Sequence, residues 1–151
     1  MPLPLSEFAD RVNSAMAVVM REFASRHVGD LFKNRLTLPQ FFILNFLDYH
    51  GQAKMKDLAE YGHVTTAAMT GIIERLVRDG YVRRAPEPGD RRIVKVSLTA
   101  KGQAISRKIN EQRRQMVMRI FGKLPEADRL EYLRILTQVK DLLKNKDIQL
   151  K

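Results

Sequence analysis

The chain has 151 residues, a length typical of one domain, and its 44% hydrophobic residues suffice for a sizeable core. It contains no cysteine, which excludes disulfides, thiolate zinc sites and cysteine-based catalysis or redox sensing, and which fits a cytoplasmic location. The sequence shows neither a signal peptide nor a run of about 18 apolar residues, so we expect no membrane association.

The net charge of +10 is concentrated in the middle of the chain. Residues 54–123 contain 16 Lys+Arg and 7 Asp+Glu, a balance of +9, whereas residues 1–53 contain 5 of each. Residues 124–151 contain 6 Lys+Arg and 5 Asp+Glu, a balance of +1. Such a distribution is typical of a surface that binds a polyanion, although lysine and arginine also occur simply as solvated surface charge.

The spacing of apolar residues predicts a long first helix. Ser6 is its candidate N-cap, because a serine side chain accepts a hydrogen bond from the first turn. The apolar positions of this helix are Phe8, Val12, Met16, Val19 and Phe23.

A second helix is predicted around Pro39, which suits a first helical turn. Thr37 or Leu38 is the candidate cap, and Gly51 follows the last turn. One stripe of this helix is predicted to contain Phe42, Phe46 and Tyr49, with Ile43 and Leu47 widening it on one side.

Two further helices precede a change of periodicity. A short one ends at Gly62, and the next begins at a cap formed by Thr65 or Thr66 and closes with Gly80 in a left-handed turn. Apolar spacing predicts that the inward residues of this fourth helix are Met69, Ile72, Ile73 and Leu76. The residues predicted to point away are Ala67, Thr70, Gly71, Glu74 and Arg78.

From Tyr81 the pattern alternates, so residues 81–85 and 93–98 are predicted strands joined by the loop PEPGDRR. Thr99 then caps a long helix, and Pro125 opens the last one. We therefore predict a mainly α fold with a small β-hairpin. A winged helix-turn-helix at 37–100 is joined by a connecting helix at 101–122 to helical dimerisation regions at 1–36 and 123–151.

The fourth helix and the hairpin tip are candidates for contact with DNA. A helix enters the major groove if its exposed side chains are small or polar, a condition met by Thr65, Thr66, Ala67, Thr70 and Gly71. Glycine inside a helix costs stability, so Gly71 implies either close approach of DNA or tight packing against a neighbouring helix. The candidates for phosphate contact are Lys54, Lys56, Arg75 and Arg78, although surface ion pairs would explain them equally well.

At the hairpin tip the sequence is Gly-Asp-Arg-Arg. Arg91 and Arg92 would reach the minor groove, where a narrow A·T-rich stretch attracts arginine. Asp90 would repel phosphate if it pointed outward, so we expect it to hold an arginine through a charge-assisted hydrogen bond.

Residues 57–102, DLAEYGHVTTAAMTGIIERLVRDGYVRRAPEPGDRRIVKVSLTAKG, closely resemble the core of the MarR (multiple antibiotic resistance regulator) family of transcription regulators. The most specific segments are LVRDGYVRR, DRR and SLTAKG. The resemblance implies a homodimer on a pseudo-palindromic operator, with Arg92 in the minor groove supported by Asp90. It also implies that small phenolic or lipophilic ligands weaken DNA binding. Gly71 departs from the family, in which many members carry arginine or another polar residue there.

A ligand pocket, if present, is expected between the dimer helices and the DNA-binding domain, where its candidate residues are Met16, Val19, Phe42, Phe46 and His50. Each of these is also an ordinary core residue type. None of the three histidines forms an i, i+4 pair, and no phosphate loop, zinc motif or catalytic triad is evident, so we expect no metal, no cofactor and no enzyme activity. The main alternative to a sequence-specific regulator is a sequence-tolerant architectural DNA-binding protein.

Overall fold

The computed structural model describes residues 2–33 and 35–145, the side chains of residues 27–32 excepted. The elements in chain order are α1 (Leu5–Lys33), α2 (Leu38–His50), β1 (Gln52–Lys54), α3 (Met55–Tyr61), α4 (Thr66–Arg78), β2 (Val82–Glu87), β3 (Asp90–Leu98), α5 (Ala100–Phe121) and α6 (Glu126–Lys144). The three strands form one antiparallel sheet in the order β1-β3-β2. This confirms the predicted fold class, a mainly helical protein with a small β-hairpin.

The described residues form two compact units, the first ending at Glu111 and the second beginning at Gln112. The first contains α1 to β3 and the amino-terminal half of α5, and the second contains the rest of α5 and α6. Among the described helices, none combines the length and the apolarity needed to cross a bilayer.

Several helix ends follow directly from local sequence. Thr37 is the N-cap of α2, with a capping box in which its hydroxyl accepts from the amide of Gln40 and its own amide donates to the Gln40 side chain. Gly51 ends α2 with φ of 80°, and Gly80 has φ of 79°, a conformation that favours glycine because it lacks Cβ. Thr65 caps α4 by accepting from the amide of Ala68. These ends were predicted from the sequence and are confirmed.

One local prediction was wrong, and one short element was not predicted. Ser6 lies inside α1 rather than at its cap, because α1 begins at Leu5. The sequence also gave no indication of β1, which pairs its three residues with β3 in the register Gln52↔Ser97, Ala53↔Val96 and Lys54↔Lys95. A strand of three residues has too short a pattern to be recognised, and it forms here because the edge of β3 offers unpaired backbone groups.

The hydrophobic core of the first unit lies between α2, α3, α4, the sheet and the start of α5. Its most completely buried residues are Ile43, Leu44, Leu47, Leu58, Met69, Ile73, Leu76 and Val96. The inward face predicted for α4 is confirmed at Met69, Ile73 and Leu76, while Ile72 is half-buried at its edge. This packing fixes which face of α4 remains at the surface.

The predicted stripe of α2 meets the core along one side only. Ile43 and Leu47, which were predicted to widen the stripe, are buried, and Phe46 packs against the core. Phe42 is 46% exposed and Tyr49 is 87% exposed, whereas the neighbouring Phe41 and Leu44 are buried. Most positions around Phe42 are apolar, so periodicity alone did not decide which of them face inward.

The junction between α4, the hairpin and α5 is held by polar contacts. The Thr99 hydroxyl donates to the carbonyl of Gly80 at 2.6 Å. Lys101 Nζ donates to the carbonyl of Asp79 at 2.7 Å and lies 4.7 Å from the centre of the Tyr81 ring. Because these contacts join the end of α4 to the start of α5, the hairpin between them is anchored at its base.

The second unit has a largely exposed apolar surface on α6. Phe121 and Tyr132 pack with ring centres 5.0 Å apart, and Glu131 forms an ion pair with Arg134 at 2.6 Å. The exposed apolar side chains of α6 are Leu130, Leu133, Ile135, Leu136, Val139, Leu142 and Leu143.

Candidate nucleic-acid interface

The exposed face of α4 is small and polar at its amino-terminal end. Thr65, Thr66 and Ala67 are exposed, whereas Thr70 and Gly71 are half-buried one turn later. The Thr70 hydroxyl donates to the carbonyl of Thr66 at 2.9 Å, which leaves its oxygen available as an acceptor. This end of α4 therefore presents hydroxyl groups and little side-chain bulk.

Gly71 has open space where a side chain would be. A Cβ built at this position meets no heavy atom within 4 Å. Tight packing against a neighbouring helix, one of the two explanations left open by the sequence, is therefore wrong within the described chain. Close approach of DNA stays a prediction.

The basic residues at the far end of α4 differ in their surroundings. Arg78 Nε donates to Asp79 Oδ1 at 3.1 Å in an exposed ion pair, and Arg75 is exposed on the same helix. Lys54 and Lys56 are exposed at the start of α3. Exposed ion pairs contribute little to stability, so the pair with Asp79 leaves Arg78 available for a phosphate.

The hairpin is longer and tighter than the sequence suggested. β2 and β3 extend into the predicted loop and leave only Pro88 and Gly89 between them. Pro86 pairs with Val94, but the next residue, Glu87, pairs with Asp90. Arg91, Arg92 and Ile93 are thus extra residues on β3, and this bulge projects two arginines from the strand near its tip.

Asp90 holds Arg92, as expected from the sequence. Asp90 Oδ1 accepts from the Arg92 amide at 3.0 Å and from Nε at 3.1 Å, and Oδ2 accepts from Nη2 at 3.4 Å. The hydrogen bonds from the Arg92 side chain and backbone hold the pKa of Asp90 below its ordinary value. The Arg92 side chain is 91% exposed, so those of its N–H groups that do not contact Asp90 face solvent, while the contacts of Nε and Nη2 with the carboxylate restrict its orientation more than the single contact of Arg78 does.

Three basic residues of the hairpin were not singled out from the sequence. Lys95 Nζ contacts Glu87 Oε1 at 2.7 Å across the bulge, and Arg83 Nε donates to Ser97 Oγ at 3.2 Å. Arg84 is exposed on the edge strand. Strand alternation indicates that side chains two residues apart share a face, but it does not indicate which cross-strand partners they meet.

Residues of the predicted ligand pocket are dispersed over several surfaces. Met16 and Val19 are about half-exposed on α1. Phe42 lines a cavity of about 440 Å³, whereas Phe46 and His50 line another of about 260 Å³. In the second cavity the His50 ring stacks on Phe46 at 4.0 Å and its Nδ1 donates to the Phe46 carbonyl at 2.9 Å. Ligand binding by these residues stays a prediction.

The comparison with known proteins supports the same assignment. The MarR family model matches residues 36–94, from the residue before Thr37 to the middle of β3. Over 143 residues the chain is 31% identical to the HTH-type transcriptional repressor NicR of Pseudomonas putida, covering 91% of this chain and 90% of NicR. The chain belongs to the MarR family. It is therefore a DNA-binding transcription regulator, and its family is not one of enzymes.

Other MarR-type proteins show the same relationship. The chain is 33% identical over 96 residues to the uncharacterized HTH-type transcriptional regulator YfiV of Bacillus subtilis, and the match covers 60% of YfiV. Among solved structures, a MarR family protein from Bacillus stearothermophilus superposes with a TM-score of 0.83 at 17% identity, over 95% of this chain and 100% of the other. NadR in complex with 4-hydroxyphenylacetate gives 0.71 at 24% identity, over 89% and 94%.

Proposed function

We propose that this MarR family regulator is a repressor that binds a pseudo-palindromic operator as a homodimer. In this proposal α4 lies in the major groove and the hairpin tip reaches the adjacent minor groove. The observation that carries the proposal is the arrangement at Asp90 and Arg92, where a carboxylate fixes an arginine that is otherwise exposed. An arginine whose orientation is fixed before binding loses less conformational entropy when it enters a groove.

The roles differ between residues. Thr66, Thr70 and the open space at Gly71 belong to the face that approaches base edges, so they govern sequence preference. Arg75, Arg78, Lys54 and Lys56 are exposed cations that contact phosphates, which position the protein without reading sequence.

The apolar surface of α6 supports the dimer. Leu133, Leu136 and Val139 lie three residues apart and all remain about half-exposed. Burying such a stripe against a second copy is favourable by about 25 cal/mol per Å² of apolar surface. The two α4 helices of such a symmetric dimer then require half-sites about 34 Å apart, one turn of DNA.

An effector is the third part of the proposal. A small phenolic or lipophilic molecule lowers the affinity for the operator. NadR, a structural neighbour, was solved with the phenolic acid 4-hydroxyphenylacetate, which supports the choice of phenols as the first compounds to test.

Selection from random duplexes tests the proposal. We expect an inverted repeat, sharply weakened binding of it by Arg92→Ala, and altered preferred bases for Thr70 substitutions. Arg134→Ala is the matched control, because Arg134 is also an exposed arginine in an ion pair but lies on α6. Recovery of unrelated sequences would instead identify the architectural alternative, a protein held mainly by phosphates.

A further inference from the structure

The bulged tip of the hairpin is weakly connected through its backbone. The pairing of β2 with β3 breaks after Pro86, which pairs with Val94, and resumes only where Glu87 pairs with Asp90. The residues of β3 between these pairs have no partner on β2, and a proline has no amide N–H to donate. Among the described strands β2 is also at the edge of the sheet, so only β3 supports it. Side-chain contacts must therefore contribute to holding the tip in place.

One such contact is the ion pair between Glu87 and Lys95. Lys95 Nζ lies 2.7 Å from Glu87 Oε1, and the pair joins the last residue of β2 to a residue of β3 on the far side of the bulge. The side chains of Lys95 and Glu87 are 23% and 29% exposed, whereas those of Arg134 and Glu131, which pair on α6, are 55% and 56% exposed. Solvent and salt screen a partly buried pair less than an exposed one, so the pair of Glu87 with Lys95 is the stronger restraint.

Glu87 also connects this ion pair to the arginine proposed to enter the minor groove. The partner of Glu87 in the sheet is Asp90, and the Asp90 carboxylate accepts hydrogen bonds from the amide and the side chain of Arg92. The contacts thus run without a break from Lys95 to Arg92. A change in the Glu87 side chain is therefore expected to alter the orientation of Arg92.

The neighbour of Lys95 on β1 gives a second reason for the ion pair. This neighbour is Lys54, so the two lysines lie on the same face of the sheet. Like charges at directly opposite positions of a sheet are unfavourable. Because Lys95 Nζ contacts Glu87, its charge is neutralised on the side of β2, and Lys54 stays exposed as a candidate for phosphate contact.

Direct contact of Lys95 with a phosphate is the alternative role. Lys95 is already paired and partly buried, whereas Lys54 and Arg84 are exposed. A phosphate that drew Lys95 away would leave the Glu87 carboxylate without its partner and close to DNA, which is unfavourable. The observed contacts thus favour a role in positioning over a role in phosphate binding.

We propose that Glu87 and Lys95 are positioning residues for DNA binding. Their ion pair holds the bulged tip so that Arg92 is presented to the minor groove, and neither side chain contacts DNA itself. This inference rests on the proposed function, because it concerns how the hairpin tip is oriented before the operator binds.

Glu87→Gln distinguishes positioning from simple charge effects by the direction of the change. If charge alone mattered, removal of a carboxylate near DNA would strengthen binding, since it reduces the repulsion of phosphates. Loss of the positioning pair weakens binding instead, and we expect an affinity for the selected operator that is about fivefold lower, the upper range for an ion pair at a protein surface. Operator binding that is unchanged or tighter would overturn the proposal.

Glu131→Gln is the matched control for this variant. It also removes a carboxylate from an ion pair with a basic residue, but the pair lies on α6. We expect no loss of operator affinity. A loss equal to that of Glu87→Gln would mean that the effect does not depend on the hairpin tip, which would count against the proposal.

A double-mutant cycle tests whether Lys95 acts through Glu87. Lys95→Gln should weaken operator binding by a similar factor without changing its salt dependence, and the double variant should bind no more weakly than either single variant, because each change breaks the same contact. Lys95→Arg preserves the charge and should retain most of the affinity. A salt slope that is shallower by about 0.9 in Lys95→Gln, together with additive effects, would show that Lys95 contacts a phosphate and would reject the proposal.

The order of the tip is measured in the free protein. Backbone amide order parameters of Arg91 and Arg92 from NMR relaxation should fall from the rigid value of about 0.85 towards about 0.6 in Glu87→Gln, while urea unfolding verifies that the variant is folded. Unchanged order parameters would contradict the positioning role even if operator binding were weaker. If the unaltered chain binds no operator, the proposed function fails, whereas the order parameters still show whether the ion pair holds the tip.

Discussion

The same substitution, glycine to alanine, should have opposite effects at two helical positions of this protein. Gly71 lies in the interior of α4 with nothing within 4 Å of a built Cβ. Gly102 lies in the first turn of α5, where a built Cβ would overlap the carbonyl oxygen of Tyr81 and would also touch Leu98. Helix propensity favours alanine at both positions, so only the surroundings differ.

The magnitudes follow from these surroundings. Gly71→Ala should raise the free energy of unfolding by about 0.5–1 kcal/mol, the usual difference between glycine and alanine inside a helix. For a chain of this size that is a rise in Tm of roughly 1–4 °C. Gly102→Ala must move the backbone of Tyr81, and overpacking of this kind costs about 1–3 kcal/mol.

Urea and thermal unfolding at one fixed protein concentration provide the assay, because self-association would make the midpoint depend on concentration. Ala67→Gly, on the exposed face of α4, is the reverse control and should lower stability. A lower Tm for Gly71→Ala would refute the inference of open space at this position. If stability rises while operator affinity falls, the glycine is retained for approach to DNA at the expense of helix stability.

Three further outcomes are expected. The pKa of Asp90 should lie below the ordinary 3.8 and return toward it in Arg92→Ala. The stabilisation by this pair is therefore present at neutral pH and is lost as the pH falls through the lowered pKa. Carboxyl NMR titration measures the pKa, and a value that Arg92→Ala leaves unchanged would exclude the contact in solution. The buried Ser106 hydroxyl has no hydrogen-bond partner among the described residues. Ser106→Ala should therefore raise the free energy of unfolding, measured by urea denaturation, by about 1 kcal/mol. A clear loss of stability would imply that the hydroxyl has a partner. Arg75→Ala should make the negative slope of log K against log salt for operator binding shallower by about 0.9, the change expected for the loss of one phosphate contact. Arg134→Ala should leave the slope unchanged. Equal slopes for the two variants would show that Arg75 does not contact DNA.

Each proposed role belongs to a different part of the protein and can be tested with a different variant. Arg92→Ala tests the hairpin tip through the loss of operator binding. Substitutions of Thr70 test α4 through a change in the preferred bases. Leu136→Glu tests the dimer, because Leu136 and Leu133 are exposed on α6 where the second copy is proposed to bind. This variant should be a monomer that binds the operator weakly.

Local sequence determined most of the secondary structure of this protein. The side chains of Thr37 and Thr65 accept hydrogen bonds that set where α2 and α4 begin, and the left-handed conformation of Gly51 sets where α2 ends. The contact between Asp90 and Arg92 was also predictable, because the two residues are separated by one position on a tight hairpin. Short-range chemistry suffices where both partners belong to the same turn.

Tertiary structure decided what depends on distant partners. β1 exists because β3 has a free edge, and the exposure of Phe42 follows from which side of a largely apolar helix meets the core. Gly71 and Gly102 look alike in sequence, yet one faces open space and the other faces the Tyr81 carbonyl. A periodic pattern records the intervals between residues along one element, whereas the neighbours across space are set only when the elements pack.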